Sequence, residues 1–244
     1  MEAVTTLNLF RYRGFSAKFW ALSQMGLAHR SLRGVRGVTF YKLLGTGRQG
    51  FSTRPDWSVY GLLQVWESEA LAADFFDRHP GMQAFRERCD ENLRIYLHPL
   101  RSVGLWDGRN PFGDGAEPLA GIQALAVLTR ASIRKKHLWN FWNFVPRAQD
   151  PLRHGKGLVY TKGIGETPLV DMATFSLWDD LRSMQEYAYG TPAHLEAIKR
   201  TRELGWYREE LFARFQPYRI EGSWRDIPGL QAFREALGDI RTKR

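Results

Sequence analysis

The sequence is poor in cysteine and has no long hydrophobic run. Cys89 is the single cysteine among 244 residues, which excludes an intramolecular disulfide and a cysteine-rich zinc or iron–sulfur site. No apolar stretch approaches the ~18 residues that a membrane-spanning helix needs, and residues 1–6 lack the basic and apolar regions of a signal peptide. Because 14% of the residues are aromatic, disorder is also excluded. We expect a globular, cytoplasmic protein.

Acidic residues are also few relative to basic ones. The chain has 35 Lys and Arg against 26 Asp and Glu, a net charge of +9. This excess favours encounter with nucleic acid, an anionic membrane face or an acidic electron carrier. The basic residues are scattered apart from short groups such as 134–136 and 241–244, and no zinc-finger, RNP or helix-turn-helix pattern accompanies them. We therefore expect no nucleic-acid partner.

What the sequence does contain is an internal repeat. Trp66 and Pro80 recur 112 residues later, the series Pro99, Arg101, Gly104 and Trp106 recurs 118 residues later, and Leu9–Arg11 is matched to Leu128–Arg130 at 119. The repeats occupy residues 1–108 and 122–226, a Gly- and Pro-rich linker covers 109–121, and a basic tail covers 227–244.

Each repeat has the element order of a ferredoxin-like βαββαβ unit. The first is predicted to have strands at 7–13, 37–44, 58–66 and 93–99 and helices at 17–27 and 69–88. The second is predicted to have strands at 124–131, 157–164, 170–178 and 213–220 and helices at 136–145 and 181–204. A single unit would leave an apolar sheet face exposed. The predicted fold is therefore α+β, with tandem duplicated ferredoxin-like units forming a dimeric α/β-barrel-type fold within one chain.

One motif suggests a nucleotide site and is better explained as a turn. Residues Gly45–Gly50 match G-x-G-x-x-G and follow a predicted strand. A dinucleotide site requires a helix that begins at this loop, because its N-terminus binds the pyrophosphate. Here the next predicted element is a strand, so we interpret the motif as a turn.

Several ordered segments resemble the spheroidene monooxygenase (CrtA-type) family. They are FYKLLGTG at 40–47, YTKGIGE at 160–166, TFSLW at 174–178, HLEAIKR at 194–200 and WYREELFARF at 206–215. The resemblance extends over about residues 5–226. It implies a haem-dependent oxygenase of carotenoid metabolism, on the fold class of chlorite dismutases and aldoxime dehydratases. It also implies haem b, O2 and an apolar substrate.

The partners and the location follow from that implied activity. The net positive charge would help an acidic ferredoxin-type electron donor to dock. A carotenoid substrate would bring this cytoplasmic protein to the inner membrane, where basic residues can hold it peripherally and reversibly.

Given the haem that the resemblance implies, His194 is the predicted axial ligand of the iron, and the alternative is a solvent-facing helix histidine. Thr191 is a good N-cap and Pro192 a good first helical residue, which places His194 in the first turn of a helix. The positive helix N-terminus disfavours imidazolium, and a metal ligand must be neutral. Cys89 lies in a charged helical stretch that is not typical of a thiolate ligand. The remaining histidines occupy loops or element ends; they are His29, His79, His98, His137 and His154.

Other candidates for the pocket have two interpretations each. Arg130 and Lys162 are suited to bind haem propionates, but both recur in the first repeat, as Arg11 and Lys42, which favours a structural role. Aromatic residues of the second repeat's first helix are typical of a core, and some of them could instead line an apolar chamber; they are Trp139, Phe141, Trp142 and Phe144.

Three functions are compatible with the sequence. The first is a haem monooxygenase that oxidises an apolar carbon, with a carotenoid as the default substrate. The second keeps the haem but changes the chemistry, for example to aldoxime dehydration or nitrogen–oxygen chemistry. The third is a cofactor-free barrel that only binds a small apolar ligand. A Soret band in the absorbance spectrum would separate the third function from the other two.

Overall fold

The fold alternates strands and helices, which confirms the α+β class. A computed structural model describes residues 3–48, 52–119, 124–144, 155–190 and 203–238. The strands are β1 (Val4–Arg11), β2 (Val38–Gly47), β3 (Pro55–Trp66), β4 (Glu91–Gly104), β5 (Leu125–Ile133), β6 (Leu158–Thr167), β7 (Asp171–Trp178) and β8 (Tyr207–Gly222). β1–β4 are hydrogen-bonded neighbours in one group of strands, and β5–β8 are neighbours in a second.

The helices follow the predicted positions apart from α2 (His29–Leu32), which was not predicted, and two further differences; residues 191–202 of the helix predicted over 181–204 lie outside the described residues. The helices are α1 (Phe15–Leu27), α2 (His29–Leu32), α3 (Glu69–Arg78), α4 (Pro80–Arg88), α5 (138–144, preceded by the 3-10 turn Lys135–His137), α6 (Leu181–Gly190) and α7 (Leu230–Leu237). The helix predicted over 69–88 is two helices, because the His79 side chain caps α4 by accepting from the Gly81 amide at 3.2 Å. Part of the predicted basic tail forms α7. No helix in the described ranges is long and apolar enough to cross a membrane.

The chain divides into two contact units. Unit 1 comprises residues 1–46, 56–98 and 217–244, and unit 2 comprises residues 47–55 and 99–216. β4 and β8 therefore pass from one unit to the other at Pro99 and Pro217. The β1–β4 ladder ends at Leu97, and the β5–β8 ladder ends at Phe215. Proline has no amide hydrogen with which to continue a ladder. The strand predicted to end at Pro99 stops pairing with β1 before that residue but continues to Gly104.

In unit 1, β1 is the central strand of an antiparallel sheet. It pairs with β3 from Val4↔Trp66 to Arg11↔Val59, and with β4 on its other side. Aromatic side chains join the sheet to its helices: the Phe10 and Phe85 ring centroids lie 5.2 Å apart, and the Trp66 centroid lies 5.1 Å from that of Phe75. The helix-facing side of this sheet is consequently filled.

In unit 2, β5 has the central position. It pairs antiparallel with β7 from Leu125↔Trp178 to Ser132↔Asp171, and with β8 on its other side. β6 pairs with β7. The four strands of unit 2 are therefore hydrogen-bonded in the order β8-β5-β7-β6, and those of unit 1 in the order β4-β1-β3-β2.

β4 and β8 both end in a glycine that is followed two residues later by a tryptophan. Gly104 and Gly222 have positive φ angles of 99° and 84°. A Cβ atom at either position would collide with a backbone carbonyl, that of Glu210 or Asn92, so only glycine fits. The tryptophans two residues later, Trp106 and Trp224, are 1% and 3% exposed. Each stacks on an arginine within its own unit.

The Gly45–Gly50 motif belongs to the connection between β2 and β3. Gly45 and Gly47 lie in β2, and the Arg48 amide donates to the Arg54 carbonyl at 2.9 Å. β3 begins at Pro55, whereas residues 49–51 lie outside the described residues. A strand follows the motif where a dinucleotide site would need a helix, in agreement with the turn interpretation.

Expression of residues 1–108 alone should give an insoluble or aggregating product. This fragment lacks Tyr218 and Trp224, which are 2% and 3% exposed and belong to unit 1. Their loss would expose apolar sheet surface to solvent. The soluble fraction and the thermal transition by circular dichroism should be measured beside those of the full chain. A soluble fragment that melts cooperatively would contradict the expectation.

Candidate functional site

The helix-facing side of the unit 2 sheet is the candidate site. Because side chains alternate along a strand, Leu125, Val127 and Thr129 of β5 share one face. Leu125 and Val127 pack in one cluster with Met184 of α6, which identifies this face as the helix-facing one. The site therefore lies between a sheet surface and the helices of unit 2.

The inner strands carry small side chains at the centre of this face, and one of these side chains is exposed to solvent. One row crosses the sheet from Gly163 on β6 to Thr174 on β7, Thr129 on β5 and Phe212 on β8. We refer to these four residues as the Thr129 row. Thr129 is exposed, and Thr174 and Phe212 are half-buried, although β5 and β7 are inner strands of the sheet. A flat group could contact the sheet at Thr129 and Thr174 without displacing a large side chain.

The corresponding positions in unit 1 are closed. β3 and β7 both end in a tryptophan, so the two strands can be aligned at these residues. Four residues before the tryptophan, β3 has Leu62, which pairs with Asn8, and β7 has Thr174, which pairs with Thr129. Asn8 and Leu62 are both 0% exposed. The open centre is thus a property of unit 2 and not of the strand arrangement that the units share.

One further position enlarges the difference. Ala131 of β5 stands where β1 has Phe10, whose ring packs on Phe85 with centroids 5.2 Å apart. Alanine cannot make such a contact. The large side chain that closes this position in unit 1 is therefore absent from unit 2.

Two apolar clusters flank the Thr129 row. One contains Leu125, Val127, Trp178 and Met184, and the other contains Ile133, Phe141, Phe144 and Trp206. Phe141 and Phe144 of α5 are thus core residues, whereas Trp139 is 78% exposed. The Trp142 indole donates to the Leu169 carbonyl at 3.0 Å. The walls of the open region are apolar on both sides.

Arg214 is a cation on the same face that the sequence analysis did not identify. It pairs across the sheet with Val127, and its guanidinium carbon lies 5.3 Å from the centroid of the Phe212 ring. Its side chain is half-buried. Its position beside the Thr129 row suits the anionic edge of a bound group. The alternation of side chains along β8 could have placed Arg214 on the same face as Phe212 from the sequence alone.

Arg130 lies on the opposite face of the sheet. It follows Thr129 on β5 and is 3% exposed. Its guanidinium forms an ion pair with Glu209 and approaches Asp171 at 3.5 Å and Glu166 at 3.9 Å. These carboxylates give Arg130 a structural role. Its predicted contact with a haem propionate stays a prediction.

Glu209 is the carboxylate most firmly held by this cluster. Its oxygens accept from the Gly108 amide at 2.8 Å, from the Asp107 amide at 3.1 Å and from Arg130. Partial burial alone would raise the pKa of Glu209, but these hydrogen bonds and the Arg130 charge together lower it below its usual range. Glu209 therefore favours the folded state in its ionised form.

The sheet register corrects the matching of Arg130 with Arg11. Counted from the paired tryptophans of β3 and β7, Arg130 corresponds to Leu9, and Arg11 corresponds to Ser132. The two arginines nevertheless make parallel contacts. Arg11 bonds to Glu91 at 3.0 Å and stacks on a tryptophan at 4.6 Å, as Arg130 does with Glu209 and a tryptophan at 5.5 Å.

Lys162 is on the face of Arg130 and not on that of the Thr129 row. It pairs with Phe175 on β7 and is 5% exposed. The sheet thus separates both predicted propionate ligands from the open face. Their role in holding a cofactor stays a prediction.

The other candidate ligands have ordinary structural roles where the structure describes them. The His29 ring nitrogen lies 3.0 Å from the Tyr41 hydroxyl, His79 caps α4, and His98 is buried inside β4. Burial raises the pKa of the Cys89 thiol to about 11, which keeps it protonated at neutral pH and unsuited as a thiolate ligand.

Three histidines remain. His137 ends the 3-10 turn before α5 and is half-buried. His154 and His194 lie outside the described residues. The assignment of His194 as the axial ligand therefore stays a prediction.

A cleft in unit 1 has the wrong character for an apolar ligand. This cleft of about 360 Å³ is lined by Glu91, Trp224, Arg225 and Arg234 among others. Arg225 donates to Glu91 at 2.6 Å, and Arg234 adds a further positive charge, so the lining is strongly polar. The open face of unit 2 is the better candidate.

Comparison with known proteins identifies the fold and then the family. No protein-family model matches the chain. The crystal structure of an aldoxime dehydratase superimposes with a TM-score of 0.62 at 13% identity, covering 88% of this chain and 81% of that one. The protein therefore has the fold of that enzyme.

Curated sequences give a closer relationship. The spheroidene monooxygenase of Rhodobacter capsulatus is 39% identical over 224 residues, which are 91% of this chain and 92% of that protein. The spheroidene monooxygenase of Cereibacter sphaeroides is 36% identical over 226 residues, which are 92% of this chain and 69% of that protein. The chain belongs to the spheroidene monooxygenase family.

The Glu209→Gln variant should lose stability at neutral pH and little at acid pH. A carboxylate with a lowered pKa contributes stability above its unfolded pKa of 4.5, and this contribution is lost as the pH falls through the lower, folded value. We expect a loss of roughly 2 kcal/mol at pH 7, and a smaller difference from wild type below pH 4.5. Urea unfolding across this pH range measures both.

Glu87→Gln is the matched control for this variant. Glu87 is exposed and forms no ion pair with any residue that the structure describes, so its replacement should change the stability by under ~0.5 kcal/mol. A Glu209→Gln variant as stable as wild type at pH 7 would contradict the role given to Arg130.

Proposed function

We propose that this protein is a monooxygenase that oxidises a carotenoid or a similar apolar polyene. Membership of the spheroidene monooxygenase family supports the reaction class. The observation that carries the proposal within the structure is the open Thr129 row between two apolar clusters. An open surface with apolar walls of this kind suits a flat, hydrophobic molecule.

The cofactor of this reaction is proposed to be haem b, held on the Thr129 row. Its two threonines leave a surface that a planar ring can contact, whereas the same positions in unit 1 are filled. Arg214, at the edge of the row, has the charge to bind a propionate. His194 would supply the axial nitrogen. When bound, haem supplies the activation of O2.

The residues of the chain have the remaining tasks. The two apolar clusters would exclude water and orient the substrate so that one carbon faces the reacting group. Insertion of one oxygen atom from O2 into a C–H bond, with the other atom released as water, requires two electrons and two protons. An external donor must supply those electrons, and the positive charge of this chain favours an acidic ferredoxin-type protein.

The proposal includes the duplicated ferredoxin-like ancestry of the two units. The equal strand orders, 4-1-3-2 counted within each unit, and the matched glycine and tryptophan after β4 and β8 support it. Within this arrangement, unit 2 binds the cofactor, and unit 1 keeps the corresponding face packed.

The Thr129→Phe variant should lose the cofactor and keep the fold. The exposed position accepts a large side chain without crowding the core, but the ring would occupy the open face. Wild type reconstituted with haemin should show a Soret band. With spheroidene, O2 and a reduced ferredoxin system it should yield a product with added oxygen by mass spectrometry. The variant should retain under ~10% of the haem per protein, with an unchanged melting transition.

Thr167→Phe is the matched control for this experiment. Thr167 is also exposed on a strand of unit 2 but lies at the turn that ends β6, so this variant should keep its haem and its activity. Absence of a Soret band in wild type would favour a cofactor-free binding protein. A Soret band without oxygenated product would favour other haem chemistry.

The His194→Ala variant should lose most of its haem, whereas His137→Ala should keep it. Axial coordination anchors the iron, and a cavity at residue 194 would leave space that added imidazole can fill. The ratio of Soret to protein absorbance after identical reconstitution compares the two variants. A wild-type ratio for His194→Ala together with haem loss in His137→Ala would assign the ligand to the segment before α5.

A further inference from the structure

The net positive charge of the protein originates in one segment. Residues 3–55 contain nine Lys and Arg and no Asp or Glu. The rest of the chain has 26 residues of each sign and is neutral. A segment of this length without acidic residues produces a field of one sign, which attracts anionic surfaces.

The helix of this segment exposes an apolar stripe. Phe15, Phe19 and Leu22 of α1 are 86%, 63% and 42% exposed. They follow one another at i, i+4 and i+7, so they lie on one face of the helix. The Phe15 and Phe19 rings stack on each other at 6.2 Å and not on the core. We call these three residues the α1 patch.

The opposite side of α1 fixes this orientation. Ala21 is buried, and the Trp20 ring packs on Tyr12 and Phe85 with centroid distances of 6.0 and 5.2 Å. The helix already has a buried face against the sheet of unit 1. The α1 patch is therefore a second apolar face, in excess of what the packing of α1 requires.

A further exposed aromatic residue lies near the beginning of α1. Trp57 is 53% exposed. It precedes Ser58, whose carbonyl accepts from the Tyr12 amide at 2.8 Å, so it lies at the end of the sheet where the chain turns into α1. Exposed Trp and Phe side chains are typical of surfaces that enter the headgroup region of a bilayer.

Unpaired cations accompany the patch. Arg30, Arg33 and Arg36 follow α1 and are exposed. None of them forms an ion pair with another residue in the described ranges. Their charges are therefore available to an external anionic partner, and each basic side chain near an anionic membrane strengthens binding about fivefold.

We propose that the α1 patch and these arginines dock the protein on an anionic lipid bilayer. The aromatic and aliphatic side chains would enter the interface, and the guanidinium groups would lie among the lipid phosphates. A second copy of the chain fits this surface poorly, because two acid-free segments repel each other. An acidic carrier protein would match the charge but not the exposed phenylalanines. The docking does not depend on the cofactor or on the reaction proposed above.

Vesicle sedimentation with the full chain tests the proposal. Wild type should bind vesicles of phosphatidylcholine and phosphatidylglycerol at 3:1 at least ~10-fold more tightly than pure phosphatidylcholine vesicles. The Phe15→Ser/Phe19→Ser double variant should bind the anionic vesicles at least ~10-fold more weakly than wild type. The variant with Arg30, Arg33 and Arg36 all changed to Gln should lose on the order of a hundredfold.

Two control variants separate this surface from general effects. Trp139→Ser removes an exposed aromatic side chain of α5, and the triple change of Arg134, Lys135 and Lys136 to Gln removes the same net charge elsewhere. Both should bind within about threefold of wild type. Circular dichroism checks that every variant remains folded.

Several results would overturn the proposal. They are absence of wild-type binding to the anionic vesicles, equal binding by the double variant, and an equal loss in the control triple variant. Binding of an acidic ferredoxin that requires Phe15 and Phe19, without vesicle binding, would assign the surface to a protein partner. Self-association that requires them, seen by sedimentation velocity, would assign it to a second copy.

Discussion

The strict alternation of side chains along β5 is the constraint on which the candidate site depends. Thr129 and Arg130 are neighbours in sequence, and the pleat directs them to opposite faces of the sheet. The buried Arg130 side chain therefore pairs with a cluster of partly buried carboxylates, and its ion pair with Glu209 ties β5 to β8. Thr129 is left on the open face. A rigid, charged network behind the sheet thus supports a surface of small side chains in front of it.

The two units show how one strand arrangement can serve two purposes. In unit 1 large side chains close the helix-facing side, and Asn8 accepts from Arg94 at 2.8 Å beneath the helices. In unit 2 threonine and alanine occupy the corresponding positions. Such small residues contribute less to stability than a filled core, since burial of apolar area is the main favourable contribution. This loss of stability is confined to a single face, where a ligand could replace the missing contacts.

Much of the fold could be predicted from the sequence, because strand alternation and the repeat are local patterns. Register is not local: the arginines matched between the repeats are two positions apart once β3 and β7 are aligned by their tryptophans. The small residues of β7 were visible in the sequence, but their exposure depends on what covers them. Arg214 was missed for the same reason. The basic residues were described as scattered, although residues 3–55 lack any acidic residue and so contain the whole charge excess.

The passage of β4 and β8 from one unit to the other at Pro99 and Pro217 has a consequence for synthesis of the chain. Unit 2 has all of its residues once position 216 has been made, whereas unit 1 waits for the residues after it. The unit that begins first is completed last. At ~5–20 residues per second, the first strands are left for several seconds without their final neighbours. The N-terminal segment, with charges of one sign only, then resists association with other nascent chains by electrostatic repulsion.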